Sequence, residues 1–233
     1  MTSKKIFKAI LAEKVERYEL VISTVAEDRE EGAALQPEEV ELLCIAYKNL
    51  VDRDRTAVQA LRNFKNGGAK IDEPETFAHF NDKLVKRAVQ NCHAFLEVLE
   101  KSLSDIDSDD FDTFIQRKKT IADYYRYICE LKKDSSGFSS ISKADYLYKE
   151  LLKLAEERLE SLSTLYLTVC INYSVFVYEV KGEKQKALTF LSEKFERALN
   201  DLNAAKEDNV KEIMQLMTYM DDNIKDWTKE LKD

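Results

Sequence analysis

Glycine and proline are nearly missing from this chain, five and two residues of 233. So few breakers, with no convincing apolar–polar alternation anywhere, exclude a strand-rich fold and predict long helices. Histidine is limited to His79 and His93. They lack the His-Glu-x-x-His spacing of a helical metal site, and no glycine-rich phosphate loop accompanies them. These absences argue against an enzyme, and no cofactor or metal is expected. The four cysteines, Cys44, Cys92, Cys129 and Cys170, stand dozens of residues apart without a C-x-x-C pair. They predict packed thiols in a reducing compartment rather than a disulfide framework. Positive charge is in deficit, the net charge being −8, which disfavours nucleic acid because its phosphates repel an acidic surface. Long apolar runs are absent too. The charge-free stretch from Ser161 to Tyr178 carries several Ser and Thr plus Asn172, and reads as a buried helix rather than a membrane span. The opening Met-Thr-Ser-Lys-Lys leads directly into an amphipathic pattern, so no signal peptide is expected. The cytoplasm is the expected location, with the nucleus as a second one.

What is present is charge and apolar bulk, 34% and 44% of residues, enough for one large domain or two small ones. Each Gly and Pro falls where a 3.6-residue apolar pattern stops. Ile6, Phe7, Ile10, Leu11, Val15 and Tyr18 trace a stripe on a first helix, and a short second helix runs to about Gly32. A third spans Pro37 to Asn66, with Pro37-Glu38-Glu39 suiting its positive end. A fourth covers about Pro74 to Leu103, followed by an acidic loop at 105–110. The fifth carries Arg126-Tyr127 and ends before Asp134-Ser-Ser-Gly137. Four more are expected at roughly 142–160, 163–181, 184–203 and 208–231. The sum is an all-α array of nine antiparallel helices.

Helical spacing puts polar residues on shared stripes. Lys48, Asp52 and Arg55 stand at i, i+4 and i+7, and the two basic groups project about 10 Å apart from one face. Lys119, Asp123, Arg126 and Glu130 share a stripe on the fifth helix. Thr168, Asn172, Val175 and Glu179 do so on the seventh, and Leu216, Tyr219, Asn223 and Trp227 on the ninth. Basic residues with an adjacent phenol suit a phosphate, which carries about −1.5 to −2 charge and three acceptor oxygens. An acidic protein with a local basic pocket is compatible with such a ligand.

Four segments in order, Ala46-Tyr-Lys-Asn49, Asp123-Tyr-Tyr-Arg-Tyr127, Asn172-Tyr-Ser-Val-Phe176 and Asn223-x-x-x-Trp227, resemble the 14-3-3 family of phosphoserine/phosphothreonine-binding adaptors. The resemblance covers the whole chain. It implies a single 14-3-3-like domain with a concave amphipathic groove. In it, helices of about 1–103 provide dimerisation and part of the phosphate pocket, and 110–231 the remainder. Lys48, Arg55, Arg126 and Tyr127 match the family's phosphate ligands. Asn172 and Asn223 match the amides that hold the peptide extended, assisted by Glu179 and Trp227. Lys119, Val175, Leu216 and Tyr219 complete the implied groove.

The chain departs from the family pattern at informative places. Asp52 stands where the pattern has glycine and can pair with Lys48 or Arg55, while Asp54 replaces a further basic residue. Thr168 brings bulk where the groove stripe has glycine, and Tyr219 replaces leucine. The family's dimer pairs the first helix of one subunit with the third and fourth of the other. Here Arg17 remains, but its acidic partner aligns with Arg87, and Leu20 replaces the acidic partner of Lys83. Exposed bridges contribute only about 0–1 kcal/mol each. An apolar set, Leu11, Val15, Leu20, Ala57, Leu61 and Phe80, is therefore expected to carry a homodimer, each buried leucine contributing about 1.5–3 kcal/mol. The expected function is an adaptor with weakened or altered phosphopeptide binding. The competing reading is an interaction protein of the same fold that has lost phosphate dependence and binds unphosphorylated or acidic partners. Neither nucleic acid nor membrane is an expected partner.

Overall fold

A computed structural model describes residues 3–27, 35–68, 70–104, 106, 110–132, 138–204 and 210–232. The expected acidic loop at 105–110, Gly32 and the Asp134–Gly137 turn fall largely or wholly outside them. The described residues form nine α-helices and no strand. The chain divides into two compact units, Met1–Ile106 and Asp107–Asp233.

The first unit holds α1 (Lys4–Lys14), α2 (Tyr18–Ala26), α3 (Pro37–Asn66) and α4 (Pro74–Leu103). Ser3 caps α1, its hydroxyl accepting from the Ile6 N–H at 3.1 Å. The stripe expected on one first helix is in fact split between two. Glu16 adopts φ 56°, a left-handed conformation that stops α1 without glycine, at a cost of about 1–2 kcal/mol. The small residues Ala9 and Ala12 form the buried face of α1, whereas Phe7, Leu11 and Val15 stay exposed. Lys5 ties α1 to its neighbours, bonding the Val25 carbonyl at 3.0 Å and the Glu39 carboxylate at 2.8 Å. Glu39 also closes a reciprocal cap with Gln36, and Pro37 begins α3. In this arrangement α3 packs along α4, and α1 and α2 pack on α3. Ala46, Leu50, Val51, Cys92, Phe95 and Leu99 are among the buried residues of this unit.

The second unit holds α5 (Phe111–Leu131), α6 (Phe138–Arg158), α7 (Thr164–Val175), α8 (Lys184–Ala204) and α9 (Val210–Glu230). Asp110 and Ser163 cap α5 and α7 through their side-chain oxygens. The sixth helix starts at Phe138, earlier than the apolar rhythm indicates, because it takes in the polar first turn Ser139-Ser140. The seventh does not run to 181 as one α-helix. Residues Phe176–Val180 form a wider π-helical turn, with the Lys181 N–H on the Phe176 carbonyl at 3.1 Å. Tyr148, Leu151, Leu167, Phe176, Leu191 and Met220 are fully buried in the core of this unit. No helix among the described residues is long and apolar enough to cross a membrane.

Candidate functional site

Charge is concentrated inside the second unit on one face of α5. Lys119, Asp123, Arg126 and Glu130 stand where their spacing puts them, and they pair at i, i+4. Lys119 Nζ lies 3.0 Å from Asp123 Oδ2, and Arg126 Nη1 bonds the Glu130 carboxylate. Asp123 and Arg126 are both buried, so each needs partners to offset lost hydration. Arg126 Nε donates to the Tyr148 hydroxyl of α6 at 3.3 Å. The same hydroxyl donates to Asp123 Oδ1. From α7, the Asn172 amide nitrogen reaches both oxygens of Asp123 at 2.9 Å. The guanidinium lies over the Tyr127 ring, 4.6 Å from its centre.

The electrostatics follow from burial and neighbours. Burial pulls the Arg126 guanidinium down, but Tyr148, Glu130, Asp123 and Tyr127 outweigh it and hold the group above its ordinary value. Burial, then Asp123, push the Tyr148 phenol well above its ordinary value. Arg126 is therefore a fixed cation beside a neutral phenol. With Nε and Nη1 engaged, its plane is set, and Nη2 makes no hydrogen bond to a described residue. The Asn172 nitrogen faces Asp123, which leaves the amide oxygen as its accepting end.

The rest of the implied groove lies in the same unit. Val175 and Leu216 are half-buried, Glu179 is exposed, and Tyr219 exposes about half its surface, 52%. Trp227 is buried and stacks flat on Tyr178 at 4.3 Å, an arrangement the sequence pattern did not indicate. The Tyr178 hydroxyl donates to Glu230 at 2.7 Å, which Lys184 also bonds. The Asn223 amide nitrogen is enclosed with no hydrogen-bond partner among the described residues. Thr168 turns its hydroxyl onto the Thr164 carbonyl at 2.7 Å, so its added bulk brings no free donor.

In the first unit Lys48 is exposed and Arg55 half-buried. Asp52, 51% exposed at its side chain, stands 3.8 Å from an Arg55 nitrogen. Asp54 is different: its side chain is 1% exposed. It receives a two-pronged bond from Arg87, Nε to Oδ2 at 2.8 Å and Nη2 to Oδ1 at 2.6 Å. Arg53 lies 3.6 Å from Asp54 and 2.8 Å from Glu19. Arg87, which aligns with the acidic partner of Arg17 in the family pattern, is thus paired within its own chain. Arg17 and Lys83 are exposed, as are Leu11, Val15, Leu20 and Phe80, while Ala57 and Leu61 are half-buried.

Tyr148 and Tyr178 act on candidate residues without having been picked out as candidates themselves. Tyr148 and Tyr178 look like ordinary core aromatics in sequence. Their partners lie 22, 25 and 52 positions away, where no local periodicity reports. Among the described residues no group of three or more His, Cys, Asp or Glu is placed to hold a metal ion.

An all-helical protein with a fixed buried cation and an oriented amide has the makings of a peptide-recognition module. Its sequence matches the family model of the 14-3-3 protein over residues 8–228, and the chain belongs to that family. It is 28% identical to 14-3-3-like protein 2 of Caenorhabditis elegans over 225 residues, covering 96% of this chain and 90% of the relative. It is 26% identical to human 14-3-3 protein beta/alpha over 230 residues, covering 98% and 93%. The mouse beta/alpha protein is 25% identical over 229 residues, with coverage of 98% and 93%. Its family is one of non-enzymatic adaptors that bind phosphorylated partners and form dimers.

Proposed function

We propose that this chain binds phosphoserine- or phosphothreonine-containing segments of client proteins with lower affinity for the phosphate than its family pattern implies. On the family resemblance, Lys48, Arg55, Arg126 and Tyr127 are assigned to the phosphate. Lys119, Asn172, Val175, Glu179, Leu216, Tyr219, Asn223 and Trp227 are assigned to the peptide. The observation that carries the weakened affinity is Asp52, whose carboxylate stands 3.8 Å from Arg55. A fixed negative charge beside a phosphate ligand opposes a dianion and competes for its cation. The exposure of Asp52 limits this by solvent screening.

Support for the peptide role comes from Asn223 and Asn172. An enclosed amide nitrogen without a partner costs about 1–3 kcal/mol, and a peptide carbonyl would supply the missing acceptor. The accepting end of Asn172 suits a peptide N–H. The exposed Leu11, Val15, Leu20 and Phe80 support a homodimer closed mainly by apolar contact. Two linked sites would raise avidity for doubly phosphorylated clients. The proposed location is the cytoplasm, with a nuclear pool.

The test is fluorescence anisotropy with phosphoserine peptides and their unphosphorylated twins. Wild type is expected to prefer the phosphorylated form, and Arg126→Ala to lose that preference. Asp52→Gly is expected to bind more tightly than wild type. Equal binding of both peptides by wild type and by Asp52→Gly would instead establish an interaction protein without phosphate dependence.

A further inference from the structure

Tyr148 belongs to neither set of assigned ligands, yet it touches the framework of both. Its ring is fully buried, packed against Phe176 at 5.4 Å and Tyr173 at 5.9 Å between ring centres. The phenol is thereby held in one orientation, and its oxygen is the only polar atom of the side chain. That oxygen accepts the Arg126 Nε–H at 3.3 Å and donates its own proton to Asp123. Asp123 in turn holds the Asn172 amide at 2.9 Å and Lys119 at 3.0 Å.

A buried tyrosine that merely satisfied its hydroxyl needs one partner. This one stands between opposite charges three residues apart on one helix face, a spacing at which arginine and aspartate attract. Without the intervening oxygen, the guanidinium and carboxylate would close on each other. Such a closed pair would withdraw Arg126 from an incoming anion and take Asp123 away from Asn172. The oxygen thus acts as a spacer, keeping the cation presented and the amide oriented.

We infer that Tyr148 is a positioning residue that sets the phosphate-facing guanidinium of Arg126 and the peptide-facing amide of Asn172 through one hydroxyl. The inference rests on the phosphopeptide reading above. It makes the two halves of recognition interdependent: losing one oxygen atom weakens both.

The test compares wild type, Tyr148→Phe, Arg126→Ala and Tyr148→Phe/Asp123→Asn in the full chain, using one phosphoserine peptide and its unphosphorylated twin. Thermal melting confirms folding. Tyr148→Phe is expected to weaken phosphopeptide binding about tenfold, the loss of about one hydrogen bond to a charged group. The double variant, lacking the carboxylate on which Arg126 would collapse, is expected to recover part of that loss. Phosphorus NMR of the bound peptide supplies a readout that simple loosening of the core does not move. A well-presented cation holds the second phosphate ionisation below its free value of about 6, and in Tyr148→Phe it is expected to return towards that value. Slow exchange of the Arg126 Nε proton in wild type reports the contact without any substitution. The inference is overturned if Arg126→Ala abolishes phosphate preference while folded Tyr148→Phe binds like wild type with an unchanged phosphate titration. Rapid Nε exchange overturns it even if Tyr148→Phe fails to fold. No phosphate preference in wild type, unaltered by Arg126→Ala, removes the functional reading and this inference with it.

Discussion

Asp54 of the first unit and Asp123 of the second are both sealed inside helical packing, yet they are used in opposite ways. Asp54 gives both oxygens to a single guanidinium in a closed, two-pronged pair. Asp123 divides its oxygens among an ammonium, an amide and a phenol. A closed pair offsets the cost of burying charge and offers nothing to a ligand. A shared carboxylate leaves its partners oriented with bonding capacity to spare, as Asn172 and Arg126 have. The difference between scaffold and site here is therefore one of connectivity rather than of residue type or burial.

Four experiments would break or sharpen that contrast. Removing the cation of the open network should have the largest effect. Arg126→Ala is expected to lower phosphopeptide affinity about a hundredfold, the combined loss of charge-assisted bonds, with only a modest change in melting. Opening the closed pair should do the reverse. Arg87→Ala strands a buried carboxylate and is expected to cost about 2–3 kcal/mol in urea unfolding, below the usual 3–5 because Arg53 is near. Peptide affinity should stay unchanged, and equal losses of affinity in both variants would dissolve the distinction. Asp52→Gly should show a smaller gain, about three- to fivefold in phosphopeptide affinity, diminishing at high salt because the carboxylate is half exposed.

The fourth concerns the thiols. Burial pushes Cys129 up to about 11 and Cys170 up to about 12, so both are protonated at pH 8. The half-buried Cys44 of the first unit is expected to react first with a thiol reagent at that pH. Cys129 and Cys170 should respond only as pH rises towards those values or as the chain unfolds. Early labelling of Cys170 would show the second unit to be looser than its packing indicates.

The long helices were legible because their ends carry local chemistry. Pro37 opens α3 and Gly67 follows it, Pro74 opens α4, and both helices have the bounds that these residues predict. The break between α1 and α2 was not legible, since Glu16 turns the chain in a conformation no glycine advertises. The i, i+4 pairs Lys119–Asp123 and Arg126–Glu130 were written in the spacing. What holds them was not: Arg87 is 33 positions from Asp54, Tyr148 is 25 from Asp123, and Asn172 is 49 from it. Such pairings arise only when helices pack, because periodicity along one helix carries no record of which face meets which neighbour.

The widened turn at Phe176–Val180 sets a rule for insertion and deletion. Upstream of it Asn172 must face Asp123, and within it Tyr178 must lie flat on Trp227. A residue removed there would restore the tighter coil and swing everything beyond it by about 100°, so one of the two appointments would be missed. Descendants of this chain can exchange side chains along the segment, but they inherit its length as a fixed quantity.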